Sequence, residues 1–550
     1  MEPSKPIVSR TRVPGLRFLQ LWAVLFIVVV GAPEVLSAQH EHPELATGVP
    51  PEVPLMKAVL GPFTRPITTR SEGAQAYFDQ GMQMVYAFTY PVAIRSFQEA
   101  QRQDPSCAMC FWGEALARGP WLNSEMTAAN SAPAHAAAAR AVSLAGTVDA
   151  TEQALIAAMA VRYSETHDPA TRPALDSAYS RLMAKAYELA PRDLDVGTLY
   201  AESIMLLDPV RANYRLGDPF VQSFHRVLEG VLALNIRHPG ACHLYVHATE
   251  ATEEPGKAEA CADLLGSSIP GASHINHMPS HTYNRLGRWA SAVRSNLDAW
   301  HSDQRAQFGE GVSYGGTHNL HMLFFAGAMD GQGAVSAAAA REYAKQVNGG
   351  VFYHTMTLLR FGKFEDVLAI TEVPEQPLQR GLWDFSRGYA HLRTGAADSA
   401  AYYLARVEEA GRTVPATVVM RRHTAPQLLG ITGKILRGEV LRSQGRLDEA
   451  IAVFETAVTQ HDGLRYDEPE PLNFSARHWL GAALLEANRA ADAEQVYRRS
   501  LVQHPHNGWS LFGLEQAIRA QGRTAEADAV RDEFKEAWAR ADTMIRSSRF

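Results

Sequence analysis

A spacing of 34 residues constrains this chain more than any other feature of its sequence. His243 and His247, in HPGACHLYVHATE, recur as His277 and His281, in SHINHMPSHTYNRLGRW, both displaced by that interval. A helix pair with its turns occupies such a length, and pairs of this kind stack side by side because one pair cannot bury its apolar face alone. Positions one period apart then lie on neighbouring helices, so the four imidazoles are predicted to face one another. A third pair, His318 and His321 in YGGTHNLHMLFFAGAMDG, comes after one more period lengthened by a loop.

The period returns elsewhere with a packing signature. In ARHWLGAALLEANRAADAEQVYRRSLVQHP, Gly481 falls where two helices approach, Ala493 and Tyr497 fall between them, and Pro505 ends the unit. This is the tetratricopeptide spacing. Further copies run through Gly438, Gly445, Ala450, Phe454 and Ala457, through Gly522 and Ala527, and far upstream through Gly81, Ala93, Phe97, Ala100 and Pro105. Segments 151 to 164, 175 to 191 and 222 to 236 carry apolar residues at helical spacing without the full signature. No alternating stretch is long enough to argue for a sheet. The expected fold class is therefore all-α, a tetratricopeptide-like solenoid of stacked antiparallel helix pairs.

The N-terminus sets the expected compartment. Lys5, Arg10, Arg12 and Arg17 precede the apolar run LQLWAVLFIVVVG, and Leu36-Ser37-Ala38 offers small residues for cleavage. Residues 1 to 38 thus read as a signal peptide, with export to the periplasm or beyond. The alternative is an uncleaved anchor, but the run is shorter than the ~20 apolar residues a span needs, so no stable membrane span is expected after cleavage. Removing four bases and two acids (Glu2, Glu34) moves the formal charge from −7 to −9. Without a basic face, nucleic acid is not an expected partner.

Proline and glycine divide the remainder of the chain. Residues 39 to 72 read as an extended N-terminal arm laid on the first repeats. TEVPEQP at 371 reads as a hinge between an N-terminal array, 73 to 370, carrying the histidines, and a C-terminal array of more regular repeats, 371 to 550. HDPATRP at 167, LDPVRANYRLGDPF at 207 and YDEPEPLNF at 466 are other interruptions.

Residues three or four apart on a helix share a face, so each histidine pair can hold one metal ion or span two. Ala258 and Ala292 align with the position that packs between helices, which places His243, His247, His277 and His281 on the first helix of their units, the side expected to line the concave groove. Glu250 extends the face of His243 and His247 and is the expected carboxylate ligand, partner of a ligating ring or catalytic base. His274 stands in the same relation to His277 and His281. Pro279 disturbs the pattern, since a proline either starts or kinks a helix and disfavours helical backbone at Met278.

The predicted metal ligands are His243, His247, His277, His281, His318 and His321. Imidazole-rich ligation suits copper, iron or zinc and excludes calcium or magnesium as the main occupant. Three ligands to each of two ions would give a dinuclear copper or iron centre with oxidation chemistry. Zinc with Glu250 as base would favour hydrolysis. Both a metal-dependent oxidoreductase and a hydrolase stay open, as does an interaction scaffold whose groove takes a peptide, a small molecule or an envelope protein with histidines as contacts. Tyr245, Tyr283, Asn284, Arg285, Asn319 and Glu202 are further polar positions near these motifs. His504 and His506 read as residues of an inter-repeat turn.

Export favours disulfides. Cys242 and Cys261 bracket the first histidine pair, and a bridge there would pin the helix presenting His243. Cys107 and Cys110, in DPSCAMCFW, read as a local disulfide or two packed thiols. A CxxC is weak evidence for redox function, and haem attachment would need His where Phe111 stands.

In the segments AQAYFDQGMQMVYAF, AIRSFQEAQRQDPSCAMCFWGEALARGP, HPGACHLYVHATEA, GASHINHMPSHTYNRLGRW and HPHNGWSLFGL, the chain resembles the exported bacterial tetratricopeptide-repeat proteins that carry HxxxH and HMPxH motifs. His243, His247, His277 and His281 match those motifs position by position. The resemblance implies an α-solenoid with a histidine-lined pocket and implies no particular reaction.

Overall fold

Two repeats, one near each end of the described chain, are built around an aromatic side chain wedged between glycines. Phe97 fills the space left by two of them, since a Cβ at Gly81 would stand 2.6 Å from its ring and one at Gly113 would stand 2.4 Å from it. Tyr497 sits likewise between Gly481 and Gly513, at 2.4 and 2.1 Å. Both aromatics are fully buried, and each such ring contributes about 1.5–3 kcal/mol through its burial. Gly81 and Gly481 therefore serve close helix approach, whereas Gly445 and Gly522 hold left-handed turns at φ 78° with open space around them.

The computed structural model describes residues 53–208, 210 and 214–550. The expected signal peptide and residues 39–52 of the expected arm lie outside the described residues. What is described is all-α but for a two-stranded hairpin, Val419–Met420 with His423–Thr424. Helices pack on their sequence neighbours from Glu72–Tyr86 and Tyr90–Gln103 to Gly508–Ala520 and Thr524–Ala537, the order of a helical-repeat solenoid. Among the described residues, no helix is long and apolar enough to cross a membrane.

Two large apolar cores and a small cluster of Ala328, Phe361 and Trp509 run through the described residues. One core extends from Val59 to Tyr314 and the other from Ala262 to Phe550. They meet over residues 262 to 314. The helix Pro239–Thr249 and the turn Ser273–His277 pack in the first core, while Pro279–Leu286 and Gly316–Asp330 pack in the second. The histidine pairs thus stand where the two cores join.

Residues 53 to 71 lie along the first helices without regular structure. The Gln80 and Gln83 side chains accept from the backbone amides of Met56 and Gly61, both at 2.8 Å. Arg65 then reaches Asp193 at 2.8 Å and Asp195 at 2.9 Å. Two disulfides close, Cys107–Cys110 and Cys242–Cys261. The second ties Pro239–Thr249 to the helix Glu259–Leu265, the pinning that the sequence position suggested.

Candidate metal centre

Four short helical segments present the imidazoles. Pro239–Thr249 starts cleanly because Pro239 needs no amide partner in the first turn and the His238 ring accepts from Ala241 N–H at 3.0 Å. It carries His243 and His247 and ends at Glu250. Ser273–His277 carries His274 and His277. Met278 keeps helical dihedrals, φ −52° and ψ −37°, although a proline follows it. Pro279 therefore divides the segment while His277 and His281 keep their i, i+4 relation. The segment ends at Gly287, whose φ of 72° favours glycine and where a Cβ would lie 2.1 Å from the Pro505 carbonyl oxygen.

The structure brings five of the six predicted histidines together and adds His274. One donor atom from each of His243, His247 and His274 lies within 4.8 Å of the others, and the same holds for His277, His281 and His318. The two triads adjoin, with the His247 and His281 rings 5.6 Å apart at their centroids. His321 is not part of either. Its ring packs instead against Phe324 at 4.8 Å and Tyr353 at 4.6 Å. Burial lowers its pKa well below that of free histidine, with Arg421 adding to the effect.

The hydrogen bonds fix which nitrogen faces inward. His243 Nδ1 donates to the Tyr86 carbonyl at 2.6 Å, His247 Nδ1 to Glu250 at 2.8 Å, and His277 Nδ1 to Asn296 Oδ1 at 2.7 Å. His281 Nδ1 reaches Glu250 at 2.5 Å and Glu468 at 2.8 Å. Where an acceptor takes the Nδ1 proton of a neutral ring, its Nε2 lone pair is the one left to face inward. His277 Nε2 lies 2.7 Å from His281 Nε2, and His243 Nε2 lies 3.2 Å from His274 Nε2. This is the pattern of metal-ligating histidines oriented by outer partners.

Electrostatics separates the two members of the close pair. Burial, with His281 beside it, pushes the His277 pKa down to about 3. Burial acts on His281 in the same direction, but the Glu250 and Glu468 carboxylates outweigh it and raise its pKa to about 9. Glu250 accepts from both His247 and His281 and also from the Tyr466 hydroxyl at 3.2 Å. Its oxygens anchor rings, and a base aimed at a substrate would need one of them turned away. His247, Glu250, His281 and Glu468 form a third set of potential ligands within 4.8 Å.

The centre is buried. The histidines of both triads are 0–4% exposed, and Glu250 is 0% exposed. The sequence places them along an open groove; in the structure two elements cover them. Phe88 packs against His243, His247 and His274 at centroid distances of 4.2, 6.0 and 5.4 Å. It holds a left-handed φ of 53°, a conformation that costs a bulky residue about 1–3 kcal/mol. The segment 466–470 covers the other triad with Tyr466 and Glu468. Arg421, at the tip of the hairpin with φ 50°, fixes that segment through a bidentate pair to Asp467 at 2.8 and 3.0 Å.

Glu468 and Tyr466 are site residues that the spacing of the histidines does not reveal. Their signal is the acidic, proline-rich YDEPEP, which in the sequence reads only as a break between repeats. A cavity of about 560 Å3 opens beside His281, lined among others by Arg285, Trp289, Met322, Tyr466 and Glu468. These buried histidine and glutamate groups can hold a metal ion.

Comparison with known proteins agrees with the repeat architecture. The tetratricopeptide-repeat family model matches residues 435–508. No curated protein sequence matches the chain significantly. Among solved structures, a human IFIT1 dimer with m7Gppp-AAAA is similar at 11% identity over 86% of this chain and 91% of that one, with a TM-score of 0.29. The P58(IPK) TPR domain is 12% identical over 82% and 99%, at a TM-score of 0.20. The APC/C hetero-tetramer Cut9-Hcn1 is 12% identical over 84% and 76%, at 0.29. Likenesses this distant carry no inference about ligands or partners. The chain is an all-α helical-repeat protein with tetratricopeptide repeats at 435–508.

Proposed function

We propose that this chain is an exported metalloprotein that binds a pair of transition-metal ions, one in the triad His243, His247 and His274 and one in the triad His277, His281 and His318. The observation that carries this reading is the convergence of one donor nitrogen from each ring within each triad, with the Nδ1 atoms of His243, His247, His277 and His281 already held by outer acceptors. Two such nitrogens 2.7 Å apart repel unless a proton or a cation stands between their lone pairs. Burial of six imidazoles without a shared ligand would be costly and without evident return.

All-imidazole triads suit copper, zinc or iron ahead of magnesium or calcium. Copper fits best, because the carboxylates orient the rings rather than complete the triads. A copper pair supplies electron-transfer and dioxygen chemistry, which makes an oxidoreductase the favoured class over a hydrolase. In this reading Glu250 and Glu468 are positioning residues, and the cavity beside His281 is the route by which a substrate approaches.

The test is titration of chelator-treated protein with copper and with zinc, followed by calorimetry and absorption. Two saturable equivalents per chain are expected, falling to one in His318→Ala. Weak, non-saturating uptake by folded protein would refute the paired site.

A second reading, a scaffold that binds a peptide or an envelope protein, draws support from the C-terminal repeats. They already hold a segment of their own chain: Phe550 packs on Trp479 at 4.7 Å between centroids, and Ser548 hydrogen-bonds Tyr497 at 2.7 Å. The two readings are compatible, since the histidines and this groove occupy different repeats.

A further inference from the structure

Arg360 ends the helix Val351–Arg360 and is 0% exposed, yet no ion pair joins it to a carboxylate among the described residues. Its Nη2 meets the His478 ring at 3.3 Å, and its Nε and Nη1 have no hydrogen-bond partner among those residues. Its guanidinium lies over Trp509 at 3.8 Å and nearer the edge of reach of Phe550 at 5.6 Å. Cation–π attraction recovers only part of the cost of burying this charge. Arginine does not escape that cost by losing its proton.

The surroundings add to the demand for an anion. Arg360 borders a cavity of about 630 Å3 that Arg393 and Arg546 also line, together with Phe361, Phe364 and Trp509. Arg393 faces the Phe364 ring at 4.9 Å. The acidic side chain on the cavity wall, Glu486, is committed to Arg549 at 2.6 Å and to Arg442 at 3.4 Å, and the Phe550 main-chain oxygen, also at this cavity, accepts from the Tyr389 hydroxyl. Three arginines without carboxylate partners among the described residues thus meet an aromatic wall.

We infer that Arg360 is the floor of a binding site for a small oxyanion, a carboxylate or phosphate held by Arg360, Arg393 and Arg546. The Nε and Nη1 donors left over lie on different edges of the guanidinium, so each can give a single charge-assisted hydrogen bond to an oxyanion oxygen, with Arg393 and Arg546 supplying the remaining charge. The site is separate from the histidine centre and stands whether or not that centre binds metal.

Binding is tested by calorimetry and tryptophan fluorescence with two probes, benzoate and inorganic phosphate, on the whole protein. Saturable binding of either, one per chain, with a change in Trp509 emission and at least about tenfold weaker binding in Arg360→Met, supports the site. A preference for benzoate assigns the aromatic wall a part; a preference for phosphate assigns the arginines the larger one. Metal content should be the same in both proteins. If Arg360→Met does not fold, the exposed Arg393→Gln carries the test and should weaken binding several-fold. Absence of saturable binding of both probes up to on the order of 10 mM, or equal binding by the folded variants, overturns the inference.

Discussion

His277 Nε2 and His281 Nε2 stand 2.7 Å apart, while their Nδ1 atoms are held by Asn296 on one side and by Glu250 and Glu468 on the other. The outer bonds leave each ring with the same nitrogen facing the same point. A shared proton satisfies this arrangement with His281 charged and His277 neutral, as their opposed shifts require. A metal ion satisfies it by accepting both lone pairs. The outer partners are therefore as much a part of the site as the rings.

Asn296 offers the cleanest test of that statement. It is fully buried, its Nδ2 donates to Ala292 O at 2.8 Å, and its Oδ1 holds His277 in one tautomer. Asn296→Leu should weaken metal binding about 10- to 100-fold with the helical content unchanged. Competition against a chelator of known affinity measures it, and unchanged affinity would remove Asn296 from the site.

The glycine–aromatic wedge predicts opposite outcomes at two glycines. Gly481→Ala drives a Cβ to 2.4 Å from the Tyr497 ring, which Gly513 confines from the other side. It should cost about 1–3 kcal/mol, more than alanine's helix propensity returns. At Gly430 the nearest atom is the end of the Gln460 side chain, 3.1 Å away, which can move. Gly430→Ala should be neutral or stabilising by up to about 1 kcal/mol. Urea midpoints compare the two.

Acid should loosen the attachment of residues 53–71. Burial would raise the Asp195 pKa, but His238, Arg65 and Tyr86 together hold it well below the usual carboxylate range. A folded-state value below the unfolded one means the contribution to stability is present above about pH 4 and is lost as pH falls below it. Arg65→Met breaks the buried pair, should cost about 3–5 kcal/mol near neutrality, and should flatten this acid dependence. Urea midpoints from pH 6 to pH 3 read both effects, and an unchanged slope would contradict them.

The repeat was legible because close packing demands glycine and an aromatic at fixed offsets, and Gly81, Phe97, Gly481 and Tyr497 carry that demand in the sequence itself. The histidine pairs were legible because two helical residues four apart share a face whatever surrounds them. His321 shows the limit of that rule: spacing gives a shared face but not a shared partner, and its ring packs on Phe324 and Tyr353 outside both triads. Glu468 could not be found by spacing, since it lies far beyond His277 in the chain and arrives through a loop that the Arg421–Asp467 pair places. Phe88 left no signal, because its role comes from a left-handed backbone that its sequence neighbours do not announce.

Elemental analysis of untagged protein purified from an exporting host, beside a His247→Ala, His277→Ala double variant that removes one ligand from each triad, decides whether the histidines hold metal. About two equivalents of copper, or of another imidazole-loving metal, in the wild type and a large loss in a variant that still folds are predicted. Metal-free wild-type protein that stays so after attempted reconstitution would rule out the paired metal site and leave the histidines as buried hydrogen-bonding residues of a repeat scaffold.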